Sequence, residues 1–243
     1  MRLLTLMAIT TLAIALPLGL LSPDLWIKAF INAKRFVTED LGFKISLLGD
    51  AVNAVLETLF ISIFGVSAGT MIAYLLAPLA SPVIAGRHVA IPFRLVANAI
   101  RSIPAIFWAI LFVILVGPGP KAGALALAVY TAAYLIKFFY ENLESISPDQ
   151  VDSLRVIGLR GITLAMALYM HIRRQIISNI LFMLEYNVRT ATIVGFVGAG
   201  GVGYYILQYM NMLDYPAVLT FVIVTMVFVI AIDTFSYIVR VRV

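Results

Sequence analysis

The sequence predicts an all-α membrane protein with about six transmembrane helices, and three observations carry that prediction. Hydrophobic residues fill 63% of the 243 positions, charged residues only 12%, and mean hydropathy is +1.05. That is more apolar surface than a soluble core needs. The apolar residues come in unbroken runs, whereas a closed β-barrel shows segments of roughly ten residues that alternate apolar and polar. Each long run also approaches the roughly 20 residues that a helix rising about 1.5 Å per residue needs to cross a hydrocarbon core about 30 Å thick.

The first run, residues 3–23, follows a lone Arg2. It lacks a small-residue cleavage site and is longer than a signal-peptide core, so it is expected to be a retained helix. In residues 24–50 Lys28, Lys34, Arg35, Glu39, Asp40 and Lys44 alternate with Leu25, Trp26, Phe30, Ile31 and Phe36, the pattern of an amphipathic segment at the membrane surface. Residues 1–50 are therefore taken as one part and 51–243 as the main transmembrane domain. A second run covers 52–77, with Gly65 and Gly69 spaced for close helix packing. A third starts among Arg94 and Arg101 and ends at Val116, where Gly117-Pro118-Gly119-Pro120 forces a turn. The fourth covers 122–140, the fifth 176–197 and the sixth 216–238. Between the fourth and fifth, residues 141–174 form a long polar stretch.

Loop charge sets the expected orientation. With the N-terminus inside, ten basic residues (Arg2, Arg87, Arg94, Lys137, Arg155, Arg160, Arg173, Arg174, Arg240, Arg242) lie on the cytoplasmic side, against five outside (Lys28, Lys34, Arg35, Lys44, Lys121). Basic residues favour the cytoplasmic face, so both termini are expected there. The same rule accounts for the net charge of +5 without nucleic acid.

Several chemistries are excluded. With no cysteine there are no disulfides, thiolate metal sites or thiol catalysis. His88 and His171 lack metal-ligand spacing, and no Walker A motif is present, so the chain has no P-loop with which to hydrolyse ATP. Gly198, Gly200 and Gly203 match the letter of a dinucleotide fingerprint, but they end a membrane run instead of following a strand. A flexible break or a close helix contact is the expected use. Charges within membrane segments cost roughly 2.5–3.5 kcal/mol each on insertion scales, so Arg101, Glu185 and Arg189 require partners or a function. Glu185 and Arg189, four apart, are expected to pair on one helical face. The functional alternative is that Arg101 or Arg189 lines a water-filled path and attracts an anion.

The polar stretch carries a more specific signal. Asp152-Ser153-Leu154, three residues, Gly158, nine residues and Leu168 resembles the EAA loop of ABC importer permeases. Asp stands for its Glu, Ser-Leu for its Ala-Ala, and Met170-His171 for its Leu-Pro. Arg101-Ser102-Ile103-Pro104, Phe107-Trp108-Ala109, Gly117-Pro118-Gly119-Pro120, the set Glu185, Asn187, Arg189 and Thr192, the glycine-rich 195–203 segment and Asp214-Tyr215 extend the likeness. From about residue 52 onward the chain resembles the phosphonate permease family of ABC importers, which is related to the methionine permeases. The resemblance implies a type I importer permease fold and the membrane-spanning subunit of an ATP-driven importer for phosphonate or a related oxyanion such as phosphite. Its expected partners are a second copy, two ATP-binding subunits carrying ATP and Mg²⁺, and an external substrate-binding protein, with no cofactor on this chain. Glu144, Asp152, Arg155 and Gly158 would couple to the ATPase, and Arg101, Glu185, Asn187 and Arg189 would line the path. A permease for another solute such as D-methionine, or a secondary transporter acting alone, are the alternatives. The second is disfavoured by the lack of an internal repeat or an intramembrane acid pair.

Overall fold

The computed structural model describes residues 2–242. Met1, Val243 and the side chain of Arg2, one of the charges used for orientation, lie outside the described residues. Two compact units form, Met1–Phe43 and Lys44–Val243, and the described residues contain helices and no strand.

In the first unit α1 (Arg2–Ala15) gives way to a turn at Pro17–Gly19. Ser22 then leads into α2 (Pro23–Arg35), with Pro23 at the first helical position, where its missing N–H has no partner to lose. The indole N–H of Trp26 donates to the Leu20 carbonyl at 2.7 Å, closing the turn. A five-residue π turn (Phe36–Asp40), held by the Arg35–Glu39 ion pair at 3.0 Å, follows.

The second unit is a bundle built on α3 (Leu48–Ala80) and α7 (Pro120–Glu144). A Cβ added at Gly65 would lie 2.7 Å from Leu127 Cβ, and one at Gly69 2.8 Å from Thr131 Cβ. Both partners advance together along the chain, so the two helices run parallel. Gly65 and Gly69 sit against Leu127, Ala128, Thr131 and Ala132 of α7, all buried, since small side chains let backbones approach where lipid supplies no hydrophobic drive.

Between these two helices come α4 (Pro82–Ala85), α5 (Arg87–Ser102) and α6 (Ala105–Val116). Pro104 keeps Ile103 extended and stops α5, and α6 leaves at 87°. The indole N–H of Trp108 reaches back to the Ile100 carbonyl at 3.3 Å, which also accepts from the Ile103 N–H, and so ties α6 to the end of α5 across the break. Beyond α7 lie α8 (Pro148–Val156), α9 (Gly161–His171) and α10 (Arg173–Gly195). A glycine turn then leads to α11 (Val202–Asn211) and α12 (Tyr215–Arg242). That turn is a close contact between elements, one of the two expected uses of its glycines. Gly119 N–H donates to the Gly198 carbonyl at 2.8 Å, Glu57 Oε1 accepts from Gly201 N–H at 2.9 Å, and Thr58 Oγ1 accepts from Val202 N–H at 2.8 Å.

By length and composition three helices qualify as membrane spans, and the bent α5–α6 pair makes a fourth. The other two expected crossings fall short for different reasons. α1 stops after 14 residues, about 21 Å of helix, because proline and glycine interrupt the 3–23 run. α10 has 23 residues, enough for about 34 Å, but its charged and amide side chains make it too polar to qualify.

Candidate functional site

Two regions hold the chemistry-bearing residues, one at an end of the bundle and one along its middle. At the end, α7 stops at Glu144 and Pro148 starts α8, whose first turn carries Asp149 and whose last carries Arg155; both charges complement the helix dipole. Gly158, at φ +91°, turns the chain toward α9, and only glycine adopts that conformation without strain. The Arg160 N–H donates to Thr163 Oγ1 at 3.2 Å, and the Thr163 hydroxyl returns the bond to the Arg160 carbonyl at 2.8 Å, fixing the start of α9.

The expected coupling residues meet here with different duties. Arg155 donates to Asp152 Oδ1 at 3.2 Å and to the Val83 carbonyl at 2.7 Å, tying α8 to α4. Glu144 pairs with Arg94 on α5. Arg94 also donates to the Ala80 carbonyl at 2.7 Å, and its guanidinium carbon lies 4.3 Å from the centroid of the Tyr140 ring. Glu144, Asp152 and Arg155 line a cleft of about 380 Å³ with Pro82, Val83 and Pro148. Charge reasoning passed over the apolar elbow that α8 and α9 push outward: Val156 is 86% exposed, and Ile157 and Ile162 are each 71% exposed. Its only signal in the sequence is three aliphatic residues, 156, 157 and 162, inside a polar stretch.

Along the middle, the expected Glu185–Arg189 pair does not form. Glu185 pairs with Arg240 and Arg189 with Asp233, both on α12. Residue numbers rise on α10 as they fall on α12, so the helices are antiparallel and two rungs cross between them. Spacing within one helix gave no view of α12. Asn187 is fully buried and donates to Thr131 Oγ1 at 2.7 Å, joining α10 to α7. Arg101 stands apart from these residues and has no carboxylate partner among the described residues. It reaches Asn98 Oδ1 at 3.4 Å, and its guanidinium carbon lies 5.3 Å from the Tyr134 ring centroid. Among the described residues no group of three or more metal-ligating side chains converges.

Comparison with known proteins places these features in context. Residues 65–243 match the family model described as the binding-protein-dependent transport system inner membrane component. The phosphite transport system permease protein PtxC of Stutzerimonas stutzeri is 30% identical over 195 residues, 78% of this chain and 70% of that protein. The phosphate-import permease protein PhnE of Mycolicibacterium smegmatis is 34% identical over 152 residues, covering 62% of this chain but only 29% of that protein. Among solved structures, an inward-facing conformation of the MetNI methionine ABC transporter superposes with a TM-score of 0.72 at 20% identity, covering 82% of this chain and 98% of that one.

Proposed function

The chain belongs to the family of inner membrane components of binding-protein-dependent transport systems, as a type I ABC importer permease subunit, and on that premise we propose that it admits phosphonate or a related reduced-phosphorus oxyanion such as phosphite. One observation carries the mechanism: the rigid α8–α9 elbow, with its exposed aliphatic tip and its Arg155 tether to α4. Arg155, bonded to Asp152 and to the Val83 carbonyl, ties α8 to α4, so a push on the elbow is carried into the bundle. Val156, Ile157 and Ile162 insert into a groove of an ATP-binding subunit, and Asp152, Arg155 and Gly158 hold the elbow in shape. Glu144, through Arg94, passes its movement to α5 and the broken span.

The complex contains two copies of this chain, two ATP-binding subunits and an external binding protein that supplies affinity. ATP and Mg²⁺ sit on the partner subunits, and this chain carries no cofactor. ATP binding favours one state of the bundle, and the population shifts by as much as ATP prefers that state. In this reading the elbow faces the cytoplasm. α10 starts at that end and α12 runs antiparallel to it, so the C-terminus faces the cytoplasm too; loop charge assigns the N-terminus to the same side. The likeness to the phosphite permease over 78% of the chain supports the substrate class.

The test is uptake by proteoliposomes holding the assembled complex, offered labelled phosphonate, phosphite and methionine on their binding proteins. Phosphonate or phosphite entry supports the proposal. Methionine entry alone moves the chain to the methionine branch, and entry unaffected by ATP depletion makes it a secondary transporter.

A further inference from the structure

We propose that Tyr134 and Arg101, backed by Tyr130 and Tyr186, form the strip along which the transported oxyanion passes through the middle of the bundle. This rests on the transport reading above and assigns its anion contacts to named donors. The strip lies midway along α7 and α10, beside the break between α5 and α6. Tyr130 is 4% exposed and Tyr186 37%, with Tyr134 between them in burial. The three rings pack with centroids 4.8 to 6.3 Å apart, and Phe138 and Phe182 continue the row.

Counting hydrogen-bond donors shows what the strip lacks. Each hydroxyl has one proton to give. Tyr130 donates to Tyr134 at 3.2 Å, and the Tyr130 and Tyr186 hydroxyls lie 3.1 Å apart. Tyr130 has used its proton, so Tyr186 is the donor in the second bond. The Tyr134 proton then has no acceptor among the described residues. Next to it, the Nε of Arg101 is shielded from solvent and has no hydrogen-bond partner. Two unused donors, one of them charged, lie at the same ring beside the α5–α6 break. Keeping donors without acceptors away from water is costly, so an opening of the bundle here that admits water or a ligand satisfies them. A species made of acceptor oxygens with negative charge satisfies both, and guanidinium matches oxyanion geometry. The face cannot serve a cation, because its hydroxyl acceptors sit beside an arginine.

Arg189 and Glu185 are thereby reassigned. Each is engaged by α12, and their role is to hold α10 to α12 rather than to contact the solute. Asn187, buried against Thr131, positions α10 behind the strip.

The chain has no cysteine, so Tyr134→Cys or Tyr186→Cys adds one reporter thiol per copy of this chain, read in the assembled complex against the wild-type complex as background. The proposal expects both thiols to react with water-soluble methanethiosulfonates, and the anionic sulfonatoethyl reagent to react faster than the cationic trimethylammonium one. Adding Arg101→Gln should reduce that preference about tenfold, the effect of one charge some 6 Å away acting with opposite sign on the two reagents. Tyr134→Phe keeps the ring and should lower phosphite uptake about tenfold, the loss of one hydrogen bond to a charged group. Thiols that stay unlabelled, or label without a charge preference that Arg101 controls, overturn the proposal. So does full phosphite uptake by the Phe variant in a complex that copurifies with its ATP-binding subunits. A wild-type complex that moves neither phosphonate nor phosphite contradicts the substrate reading instead. The thiol measurement judges the strip independently of that result.

Discussion

At Gly203 a methyl group has no room. A Cβ there would overlap the Thr192 carbonyl, with the Gly195 backbone 3.1 Å away. Backbone cannot rotate aside as a side chain does, so Gly203→Ala should cost about 3 kcal/mol or prevent folding. Gly49→Ala, which meets nothing within 4 Å, should leave the melting temperature in detergent unchanged, and equal effects of the two changes would refute the packing argument. Asp214, before α12, tests electrostatics at the same scale. Its hydrogen bond to the Lys44 ammonium at 2.5 Å holds its carboxyl below the usual range; partial burial opposes this and the Ala217 N–H assists it. A carboxyl that titrates lower in the folded state contributes in full above its unfolded value, about pH 4, and that contribution is lost as pH falls through the depressed value. Asp214→Asn should remove this part of the acid-side decline in melting temperature, and an unchanged acid profile would show that the pair does not matter.

At the scale of elements, α10 shows why part of the site was hidden in the sequence. Its charges announced a need for partners, and the i, i+4 spacing offered a local answer, but Arg240 and Asp233 lie about 50 residues further along and meet α10 only because α12 returns antiparallel to it. The Gly65–Gly69 pair was legible, since small residues one turn apart mean close packing wherever the partner is, although α7 itself was not named. The length of α1 was less legible, because the 3–23 run is uncharged throughout while its helix ends at Ala15, before the proline and glycine. The two α10–α12 rungs predict a reversal. Glu185→Arg and Arg240→Glu alone should each cost about 2 kcal/mol of thermal stability, and together they should recover most of it. A double variant no better than either single one would mean that the pairing is not what holds the helices.

At the scale of the molecule, helical membrane architecture was readable from composition and run length, and the elbow region from the resemblance of Asp152 through Leu168 to the EAA loop of ABC importer permeases. Its aliphatic tip was not, because exposure is a property of the folded chain and three apolar residues within a polar stretch look like core. The bundle has distinct ends. One carries the glycine turn clamped by Glu57 and Thr58; the other carries the α8–α9 elbow. Between them, parallel α3 and α7 form a stiff spine, and the 87° break after α5 marks where the bundle is least regular. This asymmetry suits a device driven from one end and loaded from the other. The most direct measurement is phosphite entry into proteoliposomes holding the assembled complex and its loaded binding protein, with and without ATP inside, for wild type and for Ile157→Asp. The account predicts entry only with ATP, and loss of that entry in the variant although its subunits still copurify. Entry without ATP, or an Ile157→Asp complex that transports as wild type does, would contradict it.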